Sequence, residues 1–282
     1  MTIHTIDTGL FKLDGGAMFG VVPKSMWQKL NPPDANNMCT WAMRCLLVED
    51  GNRLLLIDNG IGDKQDDKFR GHFYLHGDET LEKSLRRLGF TSGDITDVFL
   101  THLHFDHCGG SVVKTPAGRL ELAFPNATYW SNEAHWNWAM QPNPREKASF
   151  LKENILPIQE SGHLRFVNPA AGVPAELSQF TEIIYADGHT EKLMVPVLNH
   201  KGRTLAFMAD LLPSAAHVPL PYTMSYDVRP LVSMAEKEAV LCRAADENWV
   251  LLLEHDPAAE CCTVQHTEKG IRVAETFRLA EL

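Results

Sequence analysis

Strands alternating with helices along an unbroken chain predict an α/β layered domain, and three observations carry that expectation. A tight hairpin stands near the start, an amphipathic helix follows, and several short apolar runs then end on metal-competent side chains. The chain has 282 residues, enough to bury a large core, and no repeat, low-complexity tract or long linker divides it. A single domain over residues 1–282 is therefore expected.

The elements follow in order. TWAMRCLLVE, the turn Asp50-Gly51 and RLLLID predict two buried hairpin strands. Residues 79–89 space Leu81, Leu85 and Leu88 at helical intervals, with Gly89 as the C-terminal cap, so a helix is expected. ITDVFLTH predicts a short strand running into a His-rich loop. Further strands are expected at 127–131, 193–199, 203–209 and 249–254, and helices around 131–140, 145–155 and 233–245. Residues 14–38 and 211–230, rich in Gly, Pro and Asn in the one and Pro in the other, read as irregular active-site loops.

Composition bounds the function. A hydrophobic fraction of 44% and a charged fraction of 22% are ordinary for a soluble globular protein. The net charge of −10 disfavours nucleic acid as partner, because that binding draws on Lys and Arg neutralising phosphates. No window approaches the ~20 apolar residues a membrane span needs. The opening MTIHTIDTGLFKLDGG lacks a basic segment followed by an apolar stretch, so a cytoplasmic location is expected. The six cysteines have no framework spacing and no CxxC, so reduced thiols are expected and a Cys-built zinc site is not.

The strongest chemical signal is THLHFDHCGG at 101–110, which places His102, His104, Asp106 and His107 within six residues after an apolar strand. In an extended loop, side chains two apart project the same way, so His102 and His104 can grip one ion. Asp106 and His107 offer a carboxylate and an imidazole to a second ion, and Gly109-Gly110 permit a tight bend. Three more metal-competent residues end apolar runs: His189 after EIIYA, Asp210 after TLAFM and His255 after WVLLL. Each alone reads as a structural residue; together with the His-rich loop they read as ligands at the edge of a sheet.

This ordered set (Asp58, His102 to His107, Gly188-His189, Asp210, His255) resembles the metallo-β-lactamase superfamily over residues 40–260. The resemblance implies an αβ/βα four-layer sandwich with the site at one edge of two sheets. By that likeness His102, His104 and His189 hold one metal, Asp106, His107 and His255 the other, and Asp210 bridges them. Asp58 is expected outside the ligand set, accepting an N–H from a ligating His. Two divalent ions about 3.5–4 Å apart share a hydroxide and activate it near neutral pH. Zn²⁺ suits such a site, with Mn²⁺, Fe²⁺ or Co²⁺ as alternatives. Diiron redox relatives carry Glu where His104 stands, so hydrolysis is favoured over electron transfer.

Within the superfamily, HLHFDHCGG and LDGGAMFGVVPKSMW are similar to the quorum-quenching lactonase branch, including YtnP-like proteins. That likeness implies a small-molecule ester or lactone as substrate, N-acyl homoserine lactones among them, and a homodimer by analogy. Two departures stand out. Glu191 and Lys192 replace the usual residues of GHT-P-G, and Pro213 stands where the best-known lactonases carry a Tyr. Asp106 and Asp210 are the expected catalytic carboxylates; Tyr222 or Tyr226 is the expected donor to the substrate oxygen, and His217 has no assigned role. Phosphodiester or organophosphate hydrolysis on the same metals is the alternative, and a metal-binding protein without turnover is the alternative of another class.

Overall fold

Runs rich in Leu, Ile and Val pair as strands wherever a residue tolerating positive φ lets the chain double back. The computed structural model describes residues 1–282. Its first elements are β1 (Thr2–Asp14), the short helices α1 (Gly15–Phe19) and α2 (Lys24–Trp27), then β2 (Met38–Asp50) and β3 (Arg53–Ile57). Next come α3 (Asp67–Phe73), α4 (Leu81–Arg87), β4 (Asp97–Phe99), α5 (Phe105–Cys108), β5 (Val112–Lys114) and β6 (Leu120–Leu122). They are followed by β7 (Thr128–Asn132), α6 (Glu133–Met140), α7 (Lys152–Glu160) and β8 (Leu164–Val167). The chain then forms β9 (Phe180–Ala186), β10 (Leu193–His200) and β11 (Arg203–Phe207). It ends with α8 (Pro230–Asp246), β12 (Val250–Leu252), β13 (Cys261–Thr267) and β14 (Gly270–Phe277). No helix is long and apolar enough to cross a membrane.

The chain divides into two compact units, one of residues 1–9 and 43–179, the other of residues 10–42 and 180–282. A six-stranded sheet of order β1-β2-β3-β4-β7-β8 belongs to the first unit except for the ends of β1 and β2. β2 and β3 form the expected hairpin, Leu46 opposite Ile57 through Asp50 opposite Arg53. Its turn is Gly51-Asn52, one residue later than expected, and Gly51 takes the φ of +60° that a two-residue turn demands. From β3 onward the strands run parallel. Ile6, Leu47, Leu56, Val98, Phe124 and Trp136 centre its core.

The second unit carries a six-stranded sheet of order β14-β13-β12-β11-β10-β9, antiparallel except where β11 runs parallel to β12. Helix α8 packs on β13 and β14. Side chains just past the ends of neighbouring parallel strands lie side by side, and such strand ends are where open sheets place their ligands. Asp58 follows β3 and the His-rich loop follows β4 in the first unit; Asp210 follows β11 and His255 follows β12 in the second.

Three expectations change. The helix expected over 145–155 begins at Lys152: Asn143 Oδ1 accepts from Arg145 N (2.9 Å) and Glu146 N (3.2 Å) as an N-cap does, but residues 144–149 stay in turns, with Ser149 O accepting from Phe105 N at 3.0 Å. Residues 14–38 are not wholly irregular: Asp14 caps α1 through a 2.8 Å bond from Ala17 N. The strands β1, β13 and β14 add pairing that the apolar pattern did not announce, since polar residues fill their exposed positions.

Candidate metal-binding clusters

In the first unit, β4 delivers the chain into the loop of His102, His104, Asp106 and His107, and all four side chains are buried. His102 Nε2 lies 3.1 Å from His104 Nδ1, so two nitrogens converge as the i, i+2 spacing requires. The His107 ring lies against His102 at a tilt of 46° with centroids 3.9 Å apart, and its Nε2 is 3.9 Å from Asp106 Oδ2. His104 and Cys108 flank one helical turn, and the glycines after it serve close approach rather than unusual torsion. A Cβ on Gly109 would stand 2.2 Å from Ile61 O, and one on Gly110 2.2 Å from Asn59 O. Cys108 is no ligand: burial pushes its thiol up to about 12, and its Sγ bonds Leu103 O at 3.3 Å.

His102 and His107 are each aimed by a hydrogen-bonded partner, which leaves the other nitrogen for a metal. Asp58, held at φ +55°, accepts from Thr101 N at 2.8 Å and Thr101 Oγ1 at 2.6 Å, and its Oδ2 meets His107 Nδ1 at 3.1 Å. Thr101 Oγ1, its proton given to Asp58, is 3.1 Å from His102 Nδ1 and is left to accept from it. Glu146 Oε1 lies 3.5 Å from His104 Nε2, while Glu146 Oε2 accepts from Trp138 Nε1 at 2.8 Å. Nothing in the local sequence singled out Glu146; the turn made by Asn143 aims it.

The second unit gathers His189, Asp210 and His255. Asp210 Oδ2 is 3.1 Å from His189 Nε2, and Asp210 Oδ1 is 3.0 Å from His255 Nε2. One buried carboxylate thus faces two imidazoles, an oxygen to each. The far nitrogens are again held: His189 Nδ1 by Asp227 Oδ1 at 2.9 Å, His255 Nδ1 by Ala42 O at 2.8 Å. Burial alone would lower the His189 pKa, but Asp210 and Asp227 outweigh it and raise it to about 10. A pocket that holds a proton this firmly favours positive charge, and a metal would take the proton's place. Buried imidazole and carboxylate donors are the residue types that suit a divalent metal, and His102, His104, Asp106, His107, His189, Asp210 and His255 all belong to groups close enough to hold one.

The loop before His189 is fixed by helix α8. Glu236 accepts from Asp187 N at 2.7 Å and Gly188 N at 3.0 Å, and Arg229 donates to Glu191 Oε2 at 2.8 Å. Lys192 closes the loop on Asp187 Oδ2 at 2.6 Å, so the departing Glu191 and Lys192 act as loop ties. Gly188 is required there, since a Cβ would meet Ser233 N at 2.2 Å.

The remaining expected residues separate. Tyr222 lines a small cavity with Asp210, Pro213, His217, Asp227 and Lys237. Tyr226 is 37% exposed and does not line it. His217 is buried with both nitrogens engaged, Nδ1 on Ser214 Oγ at 2.7 Å and Nε2 on Met18 O at 2.9 Å. All six cysteines are free thiols.

Comparison with known proteins identifies the family and the fold. The family model described as the metallo-beta-lactamase superfamily matches residues 44–255. A crystal structure of a probable metal-dependent hydrolase from Staphylococcus aureus superposes with a TM-score of 0.87 at 26% identity, over 100% of this chain and 98% of that one. That of AidC, a dizinc quorum-quenching lactonase in complex with a product, superposes with a TM-score of 0.78 at 23% identity, over 98% of this chain and 94% of its own. A probable metallo-hydrolase of Mycobacterium tuberculosis is 31% identical over 126 residues, a match spanning 39% of this chain and only 40% of that protein.

Proposed function

The chain belongs to the metallo-β-lactamase superfamily, and from that premise we propose that it is a two-metal hydrolase opening a lactone or carboxylic ester, N-acyl homoserine lactones among them. In this reading His102, His104 and His189 hold one ion and Asp106, His107 and His255 the other, with Asp210 shared. The observation that carries it is the Asp210 carboxylate, each oxygen within 3.1 Å of a separate, pre-aimed imidazole. Two such ions would supply an activated water at neutral pH and polarise the ester carbonyl. Zn²⁺ suits the His and Asp donors.

The chain's own groups do the rest. Asp58, Asp227, Thr101 and the Ala42 carbonyl hold four of the imidazoles in one orientation, so little reorganisation is needed when charge develops. Asp106 and Asp210 are the carboxylates that would serve as ligands. Tyr222, beside the cavity next to Asp210, donates to the substrate oxygen; Tyr226 is the alternative donor. Residues 14–38 and 211–230 shape the approach for the substrate. The lactone class draws support from the likeness to AidC, whose bound product is an acyl homoserine.

Metal analysis comes first, with about two equivalents per chain expected. A panel of N-acyl homoserine lactones, p-nitrophenyl esters and bis-p-nitrophenyl phosphate then separates the chemistries. Preferred turnover of the lactones, lost on chelation and restored by zinc, is the expected result. Preferred turnover of the phosphodiester overturns the ester reading while leaving the metal reading intact.

A further inference from the structure

Lys237 is a buried cation to which the catalytic account gives no task. It lies on α8, 3% exposed, and its Nζ is 2.8 Å from His217 O, 2.9 Å from Tyr222 O and 3.4 Å from Pro219 O. An ammonium has three donors and no acceptor, so three carbonyls of one turn satisfy it completely. Burying such a charge is strongly unfavourable unless its hydrogen bonds are made, which sets a high demand on the geometry of that turn. Burial lowers its pKa to about 8, with Asp227 opposing.

The turn it gathers is tied on its other side to residues 14–38. The His217 ring stacks on Phe19 at 4.7 Å and an interplanar angle of 3°, and its Nε2 donates to Met18 O at 2.9 Å. Ser225 N donates to Ala17 O at 2.7 Å. Gly20, at φ +54°, fits beneath this contact, for a Cβ there would stand 2.6 Å from Thr223 O. The Tyr222 ring meets Phe19 edge-on at 6.2 Å. Phe19 is therefore held between two side chains of the turn that Lys237 organises.

We propose that Lys237 is a positioning residue, an internal ammonium staple that fixes the 217–222 turn and thereby places Tyr222 and the cavity beside Asp210. The peptide carbonyls are its ligands, as they would be for a structural cation, and no exogenous ion is needed. The kinetic consequence rests on the proposed role of Tyr222 in ester hydrolysis; the structural consequence does not.

The test uses the metal-loaded full chain with K237M, which keeps the length and apolar stem, and K237Q, which keeps two N–H donors. Hydrogen exchange should quicken roughly tenfold or more over residues 215–226 in K237M, less in K237Q, with metal content unchanged and exchange in the first unit unaffected. KM for the best panel substrate should rise several-fold more than kcat falls. Wild-type exchange over 215–226, or uniform quickening over the whole chain, overturns the staple. A chain that hydrolyses nothing in the panel leaves the exchange result standing as the deciding one. Should K237M fail to fold, acetic anhydride labelling of the native wild type decides: Lys237 should react last among the lysines. Labelling as fast as exposed Lys147 and Lys201 overturns the inference.

Discussion

His217 should make the chain lose stability in acid, and H217Q should remove that loss. Burial, reinforced by the Lys237 charge, outweighs the bond to Met18 O and lowers the His217 pKa to about 3. The unfolded chain binds a proton on this imidazole near 6.5 while the folded chain stays neutral. Stability from this group is therefore whole above 6.5 and drains away as pH falls toward 3. Between about pH 7.5 and pH 5 the loss is about 2 kcal/mol. Gln retains a donor for the Met18 carbonyl but cannot titrate. Any fixed cost of the substitution cancels when each variant is compared with itself at the two pH values.

The assay is urea unfolding followed by circular dichroism, with metals chelated so that proton release from the ligands enters both variants equally. The wild type should lose about 2 kcal/mol more than H217Q on acidification, equivalent to roughly 4–8 °C in midpoint temperature for a domain of this size. Parallel pH profiles for the two variants would refute the reasoning. They would mean that His217 accepts its proton inside the fold, by opening the bond to Ser214 or by losing its stack on Phe19.

Asp227→Ala removes the acceptor of His189 Nδ1 and should weaken metal binding by about 10–100-fold in a chelator competition, with far-UV circular dichroism unchanged. Glu146→Gln should weaken it in the same direction through His104, and an unaltered affinity would exclude Glu146 from that role. Gly188→Ala drives a Cβ to 2.2 Å from Ser233 N, so it should cost about 1–3 kcal/mol in thermal melts and lower metal content by displacing His189.

The short-range features were legible because their causes lie within a few residues. His102, His104, Asp106 and His107 share one loop, and their spacing alone dictates that two imidazoles converge. The hairpin of β2 and β3 was readable from two apolar runs and a glycine, missing only the turn register by one residue. Helix α4 announced itself by its Leu spacing and by Gly89, which takes a φ of +85° beyond its end. The helix expected over 145–155 starts late: Asn143 caps a turn over 144–149, and Ser149 O is taken by Phe105 N, a partner that spacing does not reveal.

The partners of the candidate ligands were another matter. Glu146 and Asp227 lie 42 residues after His104 and 38 after His189, and no periodicity links a carboxylate to an imidazole so far away. Ala42, a main-chain acceptor for His255 across 213 positions, carries no side-chain signal at all. Lys237 looked like any polar residue of an amphipathic helix until three carbonyls were seen to surround it. The sequence by itself determined which side chains can bind metal and that strand ends would present them. Only the tertiary structure decided how each is aimed, because hydrogen-bond direction depends on chain segments that meet through folding, not through spacing.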